Sequence, residues 1–183
     1  MSKAIVDLTR ALDFAARKHR DQRRKGAAAE PYLNHLTEVA RLVAEATEGK
    51  DTPLVIAALL HDTIEDTRTT RDELEHEFSP EVAALVSEVT DDKNLPKAER
   101  KRLQIANAPH KSERAKMIKI ADKISNLRSI VASPPVDWDS HRQREYLEWA
   151  AKVVEGLRGV NRSLEAEFDA AYRAGLQAIE KRQ

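Results

Sequence analysis

Apolar residues recur at three- and four-residue intervals along most of the chain, which is the spacing typical of amphipathic helices. At the beginning of the sequence, Ile5, Leu8, Leu12, Ala15 and Ala16 follow this rule. They predict a first helix with one apolar face, and we expect that face to pack into a core.

A polar segment that contains Gly26 and Pro31 interrupts the pattern before it resumes. The second helix is then predicted to turn His35, Val39 and Leu42 inward. Further along, apolar stripes predict three more helices. Their members are Met117, Ile118, Ala121, Ile124 and Leu127 in one helix, Tyr146, Trp149 and Val153 in the next, and Leu164, Phe168, Tyr172 and Leu176 in the last.

Two helix starts are marked by a hydroxyl residue followed by proline. Thr52 precedes Pro53, and Ser79 precedes Pro80. A side-chain oxygen at the N-cap accepts a free backbone N–H, and proline is well tolerated at the first helical position, where no N–H is needed. The pattern predicts that Thr52 and Ser79 are the N-cap residues.

Composition agrees with a helical protein. Only 5 of the 183 residues are glycine and 4% are aromatic, whereas hydrophobic residues make up 41% and charged residues 34%. With no repeat along the chain, these values predict an all-α fold: a single-domain helical bundle over residues 1–183.

Charge balance and the lack of cysteine argue against several classes of protein and of metal site. Acidic and basic residues balance at 31 each and there is no cysteine, which argues against a nucleic-acid binder and excludes thiolate zinc sites. No apolar run approaches the roughly 20 residues that cross a bilayer, and no secretory signal is visible. We expect a cytoplasmic protein without membrane contact; its oligomeric state is left open.

Residues 58–67, ALLHDTIEDT, pass directly from apolar to acidic. On a continuous helix, at about 100° per residue, His61 aligns with Glu65 and Asp62 aligns with Asp66, so all four face one sector. A buried polar group without a partner costs roughly 1–3 kcal/mol. These side chains therefore either face water at the end of the helix or act together on a ligand.

Two polar residues also interrupt apolar helices elsewhere, namely His35 and Asp122. Each alone is typical of a hydrogen-bonded structural residue. Together with His61 and Asp62 they supply two imidazoles and two carboxylates. This mixed nitrogen and oxygen set suits a divalent ion such as Mn²⁺, with coordination positions left for water and substrate.

These residues and their surroundings carry a family resemblance. Histidine followed by a His-Asp pair and a distant aspartate is similar to the pattern of the HD metallohydrolase superfamily. The segments PYLNH, HDTIEDT, EVTDDK, ADKISNL and HRQREYLEWA resemble the hydrolase domain of RelA/SpoT proteins, and most closely the stand-alone small alarmone hydrolases of the metazoan SpoT type. The resemblance covers about residues 3–165.

The resemblance implies an enzyme that removes pyrophosphate from the 3′ position of guanosine 3′,5′-bis(diphosphate), ppGpp, or of its pentaphosphate relative. The other product is GDP or GTP. It implies one Mn²⁺ per chain, held by His35, His61, Asp62 and Asp122.

The resemblance also implies catalytic and substrate-binding residues. Glu65 and Asp66 match the catalytic acids of the family, and they can orient the attacking water or move its proton; how they divide these roles is open. Residues expected to contact the nucleotide, for which ordinary solvated side chains are the alternative, are Arg24, Lys25, Lys97, Asn126, Arg142 and Tyr146.

Three features depart from the family pattern. Leu36 follows His35 where many relatives have proline, the loop around residues 26–30 is bland, and Ser125 replaces a larger, often aromatic residue. None is expected to touch a metal ligand. The loop and Ser125 are expected to alter base recognition or substrate preference.

Two rival functions remain open from the sequence. The first is that of an HD phosphatase that acts on another nucleotide, with the 2′-phosphate of NADPH or a deoxynucleoside monophosphate as substrate. A module that senses a nucleotide without catalysis is the rival from a different class, but it predicts losses in the ligand set or in Glu65 and Asp66, and all of these residues are present.

Overall fold

The computed structural model describes residues 3–182 and confirms an all-α fold. Within this range no strand forms, and the extended pairings are two isolated bridges, Arg23 with Pro31 and Gly26 with Pro135. The α-helices are α1 Lys3–Lys18, α2 Leu33–Ala46, α3 Thr52–Leu60, α4 Thr63–Asp66, α5 Arg71–Glu77, α6 Pro80–Val89, α7 Lys97–Asn107, α8 Glu113–Ala132, α9 Ser140–Glu155 and α10 Arg162–Glu180, with a short 3₁₀ turn at Ala108–His110.

Helix α3 lies at the centre of the bundle. Its residues 54–60 are all buried, and α1, α2, α6 and α8 pack around it. Helix α8 in turn packs against α10, α2 and α9. A helix that is apolar on every side can only be stable when it is covered on every side, so α3 provides a fixed support for the residues that follow it.

The later helices follow the predicted pattern. Val39 and Leu42 of α2 are buried, as are Ile118, Ile124 and Leu127 of α8, whereas Met117 is only partly buried. The predicted helices through Tyr146 and through Leu164 are α9 and α10. Among the described residues, no helix combines the length and apolar character that spanning a bilayer requires.

The predicted face of α1 is only partly correct: Ala15 is buried as expected, but the larger aliphatic residues are not. Ile5, Leu8 and Leu12 are 58%, 37% and 39% exposed, whereas Phe14 is buried. Phe14 packs edge-to-face on Phe78, with the ring centroids 5.4 Å apart. The helix is turned about a quarter of a revolution from the predicted orientation, because burying this large ring against a distant aromatic residue outweighs burying the smaller aliphatic stripe.

The chain does not continue as one helix through the acidic segment, as the sequence had led us to expect. Helix α3 ends at Leu60 and α4 begins at Thr63. The Thr63 hydroxyl donates to the Leu60 carbonyl at 2.6 Å, and His61 Nδ1 lies 2.8 Å from the Ala58 carbonyl. These side chains take carbonyls at the end of α3, and such local bonds compete with helical ones. Asp62 lies in the bend between the two helices.

The start of α3 is displaced by one residue from the prediction. Asp51, not Thr52, is the N-cap, and its carboxylate accepts a hydrogen bond from the Leu54 N–H at 3.1 Å. Asp51 also accepts from Arg114 of α8 at 2.6 Å. The second predicted cap is confirmed, since Ser79 accepts from the N–H of Val82.

We expect Asp51→Ala to lower the free energy of unfolding by about 1–2 kcal/mol, the usual cost of losing an N-cap acceptor. Thr52→Ala is the matched control and should change it by less than about 0.5 kcal/mol. Thermal denaturation followed by circular dichroism measures both, with a decrease in Tm of about 2–4 °C per kcal/mol for a chain of this size. Equal effects of the two substitutions would contradict the observed cap.

Candidate metal centre and nucleotide cavity

Four residues from three different helical segments meet below the surface. His35 comes from α2, His61 and Asp62 from the bend after α3, and Asp122 from α8. His35 Nε2 lies 3.3 Å from Asp122 Oδ1 and 3.7 Å from Asp62 Oδ2. His61 Nε2 lies 3.1 Å from Asp62 Oδ2 and 3.9 Å from Asp122 Oδ1. The structure thus brings the four predicted ligands together.

The donor set fits a divalent metal ion. The Nε2 atoms of His35 and His61 are buried and have no aligned hydrogen-bond partner. Ligand atoms bound at about 2.0–2.3 Å from one ion lie roughly 3–4.5 Å from each other, which matches the separations above. Ligand atoms of His35, His61 and Asp62 all lie within 4.8 Å of one another. Two buried lone pairs that face two carboxylates are costly unless a cation lies between them.

Neighbouring side chains orient the two aspartates. The Tyr32 hydroxyl donates to Asp62 Oδ2 at 2.6 Å. Asp122 accepts from the Asn126 amide at 2.7 Å and from the Lys123 ammonium at 2.8 Å. Such outer hydrogen bonds hold metal ligands in place and adjust their basicity.

The electrostatic balance keeps both carboxylates ionised. Burial alone would raise the pKa of Asp62, but the adjacent His61 and the hydrogen bonds of the histidines hold this pKa well below its ordinary value. Burial would likewise raise the pKa of Asp122, and Lys123 with His35 lowers it strongly. Burial would lower the pKa of His61, yet the negative charge of Asp62 raises it overall. Two ionised carboxylates match the charge of a divalent cation.

Ser125 does not behave as the sequence suggested. It is 2% exposed and does not belong to the cavity wall. Instead, its hydroxyl lies 2.8 Å from Nδ1 of His35. The expectation that no departure from the family pattern touches a proposed metal ligand is therefore wrong.

A cavity of about 690 Å³ with a strongly cationic wall lies next to the centre. None of the four residues lines it, but Tyr32 and Asn126, which donate to Asp62 and Asp122, belong to its wall. Eight Lys or Arg side chains line it, against four carboxylates. The cations are Arg23, Arg24, Lys25, Lys93, Lys97, Arg100, Lys101 and Arg142, and the carboxylates are Glu65, Asp66, Asp91 and Glu145.

All six residues predicted to contact the nucleotide line this cavity, although their roles stay predictions. Arg24 donates to the Asn126 side chain at 3.1 Å, and Arg142 lies over the Trp138 ring at 4.9 Å from the centroid. Tyr146 stands between Trp138 and a second tryptophan, with ring centroids 5.4 and 5.2 Å away. One wall of the cavity therefore combines cations with aromatic faces.

The cations crowd one another. Partial burial, followed by the charges of Lys25, Arg142 and Arg100, lowers the pKa of Lys97. Burial and the charge of Lys97 also lower the pKa of Lys101. Mutual repulsion of this kind is relieved when a polyanion binds.

Glu65 and Asp66 both reach the cavity, but their surroundings differ. Glu65 accepts a hydrogen bond from the Asp91 N–H at 3.2 Å, and Arg100 lies 3.7 Å away. Burial, and then the charge of Asp62, raises the pKa of Glu65. Asp66 is held at both oxygens, by Lys93 and by the Gln22 amide.

Two loops close the rim of the cavity. Gly26 pairs with Pro135, and the Ala28 N–H donates to the Ser133 hydroxyl at 3.1 Å. A Cβ on Gly26 would clash with the carbonyl oxygen of Ser133, so glycine is required for the two backbones to approach this closely.

Sequence reasoning missed several residues around the carboxylates. Gln22 bridges Asp66 to His19, whose Nδ1 lies 2.5 Å from the Gln22 side-chain oxygen. His19 is buried and stacks on Tyr32. The only available signal was that His19 and Gln22 stand three residues apart, immediately before the cationic segment.

The fold and the site together define a class: an all-helical protein with a buried His/Asp centre beside a polar cavity. The HD domain family matches residues 11–152. A human protein named guanosine-3′,5′-bis(diphosphate) 3′-pyrophosphohydrolase MESH1 is 54% identical over 165 residues, covering 90% of this chain and 92% of its own. A Drosophila melanogaster protein of the same name is 48% identical over 162 residues, covering 88% and 90%. The chain belongs to the HD domain family, among proteins of the MESH1 type.

More distant relatives extend the likeness. A guanosine-3′,5′-bis(diphosphate) 3′-pyrophosphohydrolase of Aquifex aeolicus is 38% identical over 130 residues, which are 68% of this chain but 18% of that protein. A solved structure described as a metazoan ortholog of SpoT that hydrolyses ppGpp superposes with a TM-score of 0.88 at 46% identity. It covers 91% of this chain and 94% of its own.

We expect Asp122→Asn to weaken Mn²⁺ binding, because the substitution removes a charged group from the proposed ligand set. Loss of an outer hydrogen-bond partner costs roughly 10–100-fold in metal affinity, and loss of a ligand should cost at least as much. Isothermal titration of chelator-treated protein measures this. Asp72→Asn, an exposed position on α5, is the matched control and should leave affinity unchanged. Equal affinities of both variants would remove Asp122 from the ligand set.

Proposed function

We propose that this protein is an Mn²⁺-dependent 3′-pyrophosphohydrolase of ppGpp and of its pentaphosphate relative. The observation that carries this proposal is a strongly cationic cavity whose wall includes Tyr32 and Asn126, the side chains that donate hydrogen bonds to Asp62 and Asp122 of the buried centre. The names of the similar human, fly and bacterial proteins support the same substrate.

The substrate is a polyanion with pyrophosphate groups on both ends of its ribose, so the site must balance many negative charges. Lys25, Lys97 and Arg142 can do so, since their charges face a common space and repel one another without a ligand. Arginine binds phosphate through two parallel N–H groups, and it also stacks on flat rings. Trp138 and Tyr146 offer flat faces beside these cations for a purine.

The reaction breaks the bond between the ribose 3′-oxygen and phosphorus. The oxygen of water forms the new bond to phosphorus, one of its protons is removed, and the departing 3′-oxygen gains a proton. A bound divalent cation supplies Lewis acidity toward a phosphoryl oxygen and toward water. His35, His61, Asp62 and Asp122 are the residues that would hold it.

The contrast between Glu65 and Asp66 suggests how they divide the work. We assign the removal of the water proton to Glu65, because its raised pKa increases its basicity and because its Oε1 lies 3.7 Å from Arg100, beyond hydrogen-bond distance. We assign a positioning role to Asp66, since Lys93 and Gln22 hold its two oxygens.

Incubation with ppGpp and Mn²⁺ should yield GDP and pyrophosphate in equal amounts, and a chelator should stop the reaction. Anion-exchange chromatography separates these products from orthophosphate. Parallel incubations with NADPH and with deoxynucleoside monophosphates test the rival substrates. Release of orthophosphate from one of those, without turnover of ppGpp, would overturn the proposed substrate.

Glu65→Gln should lower kcat about 10²–10⁴-fold, the usual contribution of a proton acceptor, while Mn²⁺ affinity stays close to that of the unmodified protein. Since only the ionised carboxylate accepts a proton, the unmodified enzyme should lose activity as pH falls through the raised pKa of Glu65. The pH–rate profile of the variant should lack this limb. Glu145→Gln, at the exposed rim of the same cavity, serves as control. A kcat that is unchanged in Glu65→Gln would exclude Glu65 as the base.

A further inference from the structure

His35 and His61 occupy matching places in the centre but are oriented by different kinds of partner. Nδ1 of His61 faces the backbone carbonyl of Ala58 at 2.8 Å. A carbonyl only accepts, so this nitrogen carries a proton, and in the neutral ring Nε2 keeps its lone pair. Nδ1 of His35 instead faces the Ser125 hydroxyl, which can either donate or accept. The backbone therefore does not determine the tautomer of His35.

The direction of the His35 hydrogen bond follows from the next partner along. Ser125 donates its hydroxyl proton to Glu38 Oε2 at 2.6 Å. An ionised carboxylate only accepts, and a serine hydroxyl has a single proton to give. Once this proton is directed to Glu38, the serine oxygen can only accept from Nδ1 of His35, and the lone pair of His35 is left on Nε2, toward Asp62 and Asp122.

Glu38 is itself held in place from the outside of the bundle. Arg128, one helical turn after Ser125 on α8, donates to Glu38 Oε1 at 3.1 Å and to Glu167 of α10 at 2.7 Å. Burial alone would raise the pKa of Glu38, but the bonds from Ser125 and Arg128 lower it overall. The Glu38 side chain is 27% exposed and lies outside the cavity wall.

We infer that Glu38, acting through Ser125, is a positioning residue that sets the tautomer of His35 and thereby prepares this histidine to bind the metal ion. This inference rests on the metal centre put forward under the proposed function. It also assigns a role to Ser125, a residue that departs from the family pattern and does not line the cavity.

The test compares Glu38→Gln with a matched control. In Glu38→Gln the amide oxygen remains the natural acceptor for Arg128, which leaves the NH₂ group facing Ser125. The serine hydroxyl can then donate to His35, which moves the histidine proton to Nε2 and blocks the lone pair. Glu45→Gln removes an ion-paired carboxylate on the same helix, with Arg41 as its partner, and does not touch the centre.

Mn²⁺ affinity is the first measurement, made by chelator competition with the electron paramagnetic resonance signal of free Mn²⁺. We expect Glu38→Gln and Ser125→Ala to bind about 10–100-fold more weakly than the unmodified protein, the usual loss for an outer partner of a metal ligand. Glu45→Gln should be unchanged, and so should Glu167→Gln, which removes the other partner of Arg128. The variant that combines Glu38→Gln with Ser125→Ala should bind Mn²⁺ no more weakly than Ser125→Ala alone, because both substitutions break the same chain of hydrogen bonds.

The tautomer is the second measurement and needs no metal. Side-chain ¹⁵N spectra of the chelator-treated protein, recorded at a pH high enough to keep both rings neutral, should show His35 protonated at Nδ1, and in Glu38→Gln a shift toward protonation at Nε2, with His61 unchanged as an internal control. If Mn²⁺ binds to the unmodified protein, and Glu38→Gln matches Glu45→Gln in both affinity and tautomer, the inference is wrong. If no Mn²⁺ binds to the unmodified protein, the metal centre is wrong, and the ¹⁵N spectra still decide the tautomer. Should Glu38→Gln fail to fold, full affinity in Ser125→Ala would overturn the inference equally.

Discussion

The centre depends on the burial of two imidazole nitrogens opposite two ionised carboxylates. Removing such groups from water is costly, and here the Nε2 atoms of the histidines lie only 3.1–3.9 Å from the carboxylate oxygens. The fold maintains this arrangement because α3 is buried on all sides. Hydrogen bonds from His61 and Thr63 to carbonyls at the end of α3 also fix the bend that follows it. A divalent cation bound here would offset the cost, so the packing of the bundle and the proposed affinity for metal are two aspects of one constraint.

The cavity wall carries charges that complement those of the centre. A centre built from carboxylates repels an anionic substrate, and the wall beside it supplies an excess of cations that repel one another when no anion is bound. Eight cations and four carboxylates therefore line a cavity beside a centre that contains two further carboxylates. Glu65 and Asp66 both belong to the wall of this cavity, and they differ because burial raises the pKa of Glu65 whereas Gln22 and Lys93 hold the two oxygens of Asp66.

Local patterns predicted much of this molecule. Helical spacing predicted α2, α8, α9 and α10, and polar residues within apolar stripes, such as His35 and Asp122, marked the centre. Features that depend on distant contacts were missed. The face of α1 was set by Phe14 meeting Phe78, and the bond from His35 to Ser125 joins positions 90 residues apart. Spacing along one chain cannot report such encounters, because they are decided only when the helices pack.

The central claim is that four side chains share one divalent cation, and anomalous diffraction tests it most directly. Crystals grown with Mn²⁺ and measured at the manganese absorption edge should give one strong peak within coordination distance of His35 Nε2, His61 Nε2 and a carboxylate oxygen from each of Asp62 and Asp122. A map without a peak at this point, or with manganese bound only elsewhere on the protein, would contradict the account.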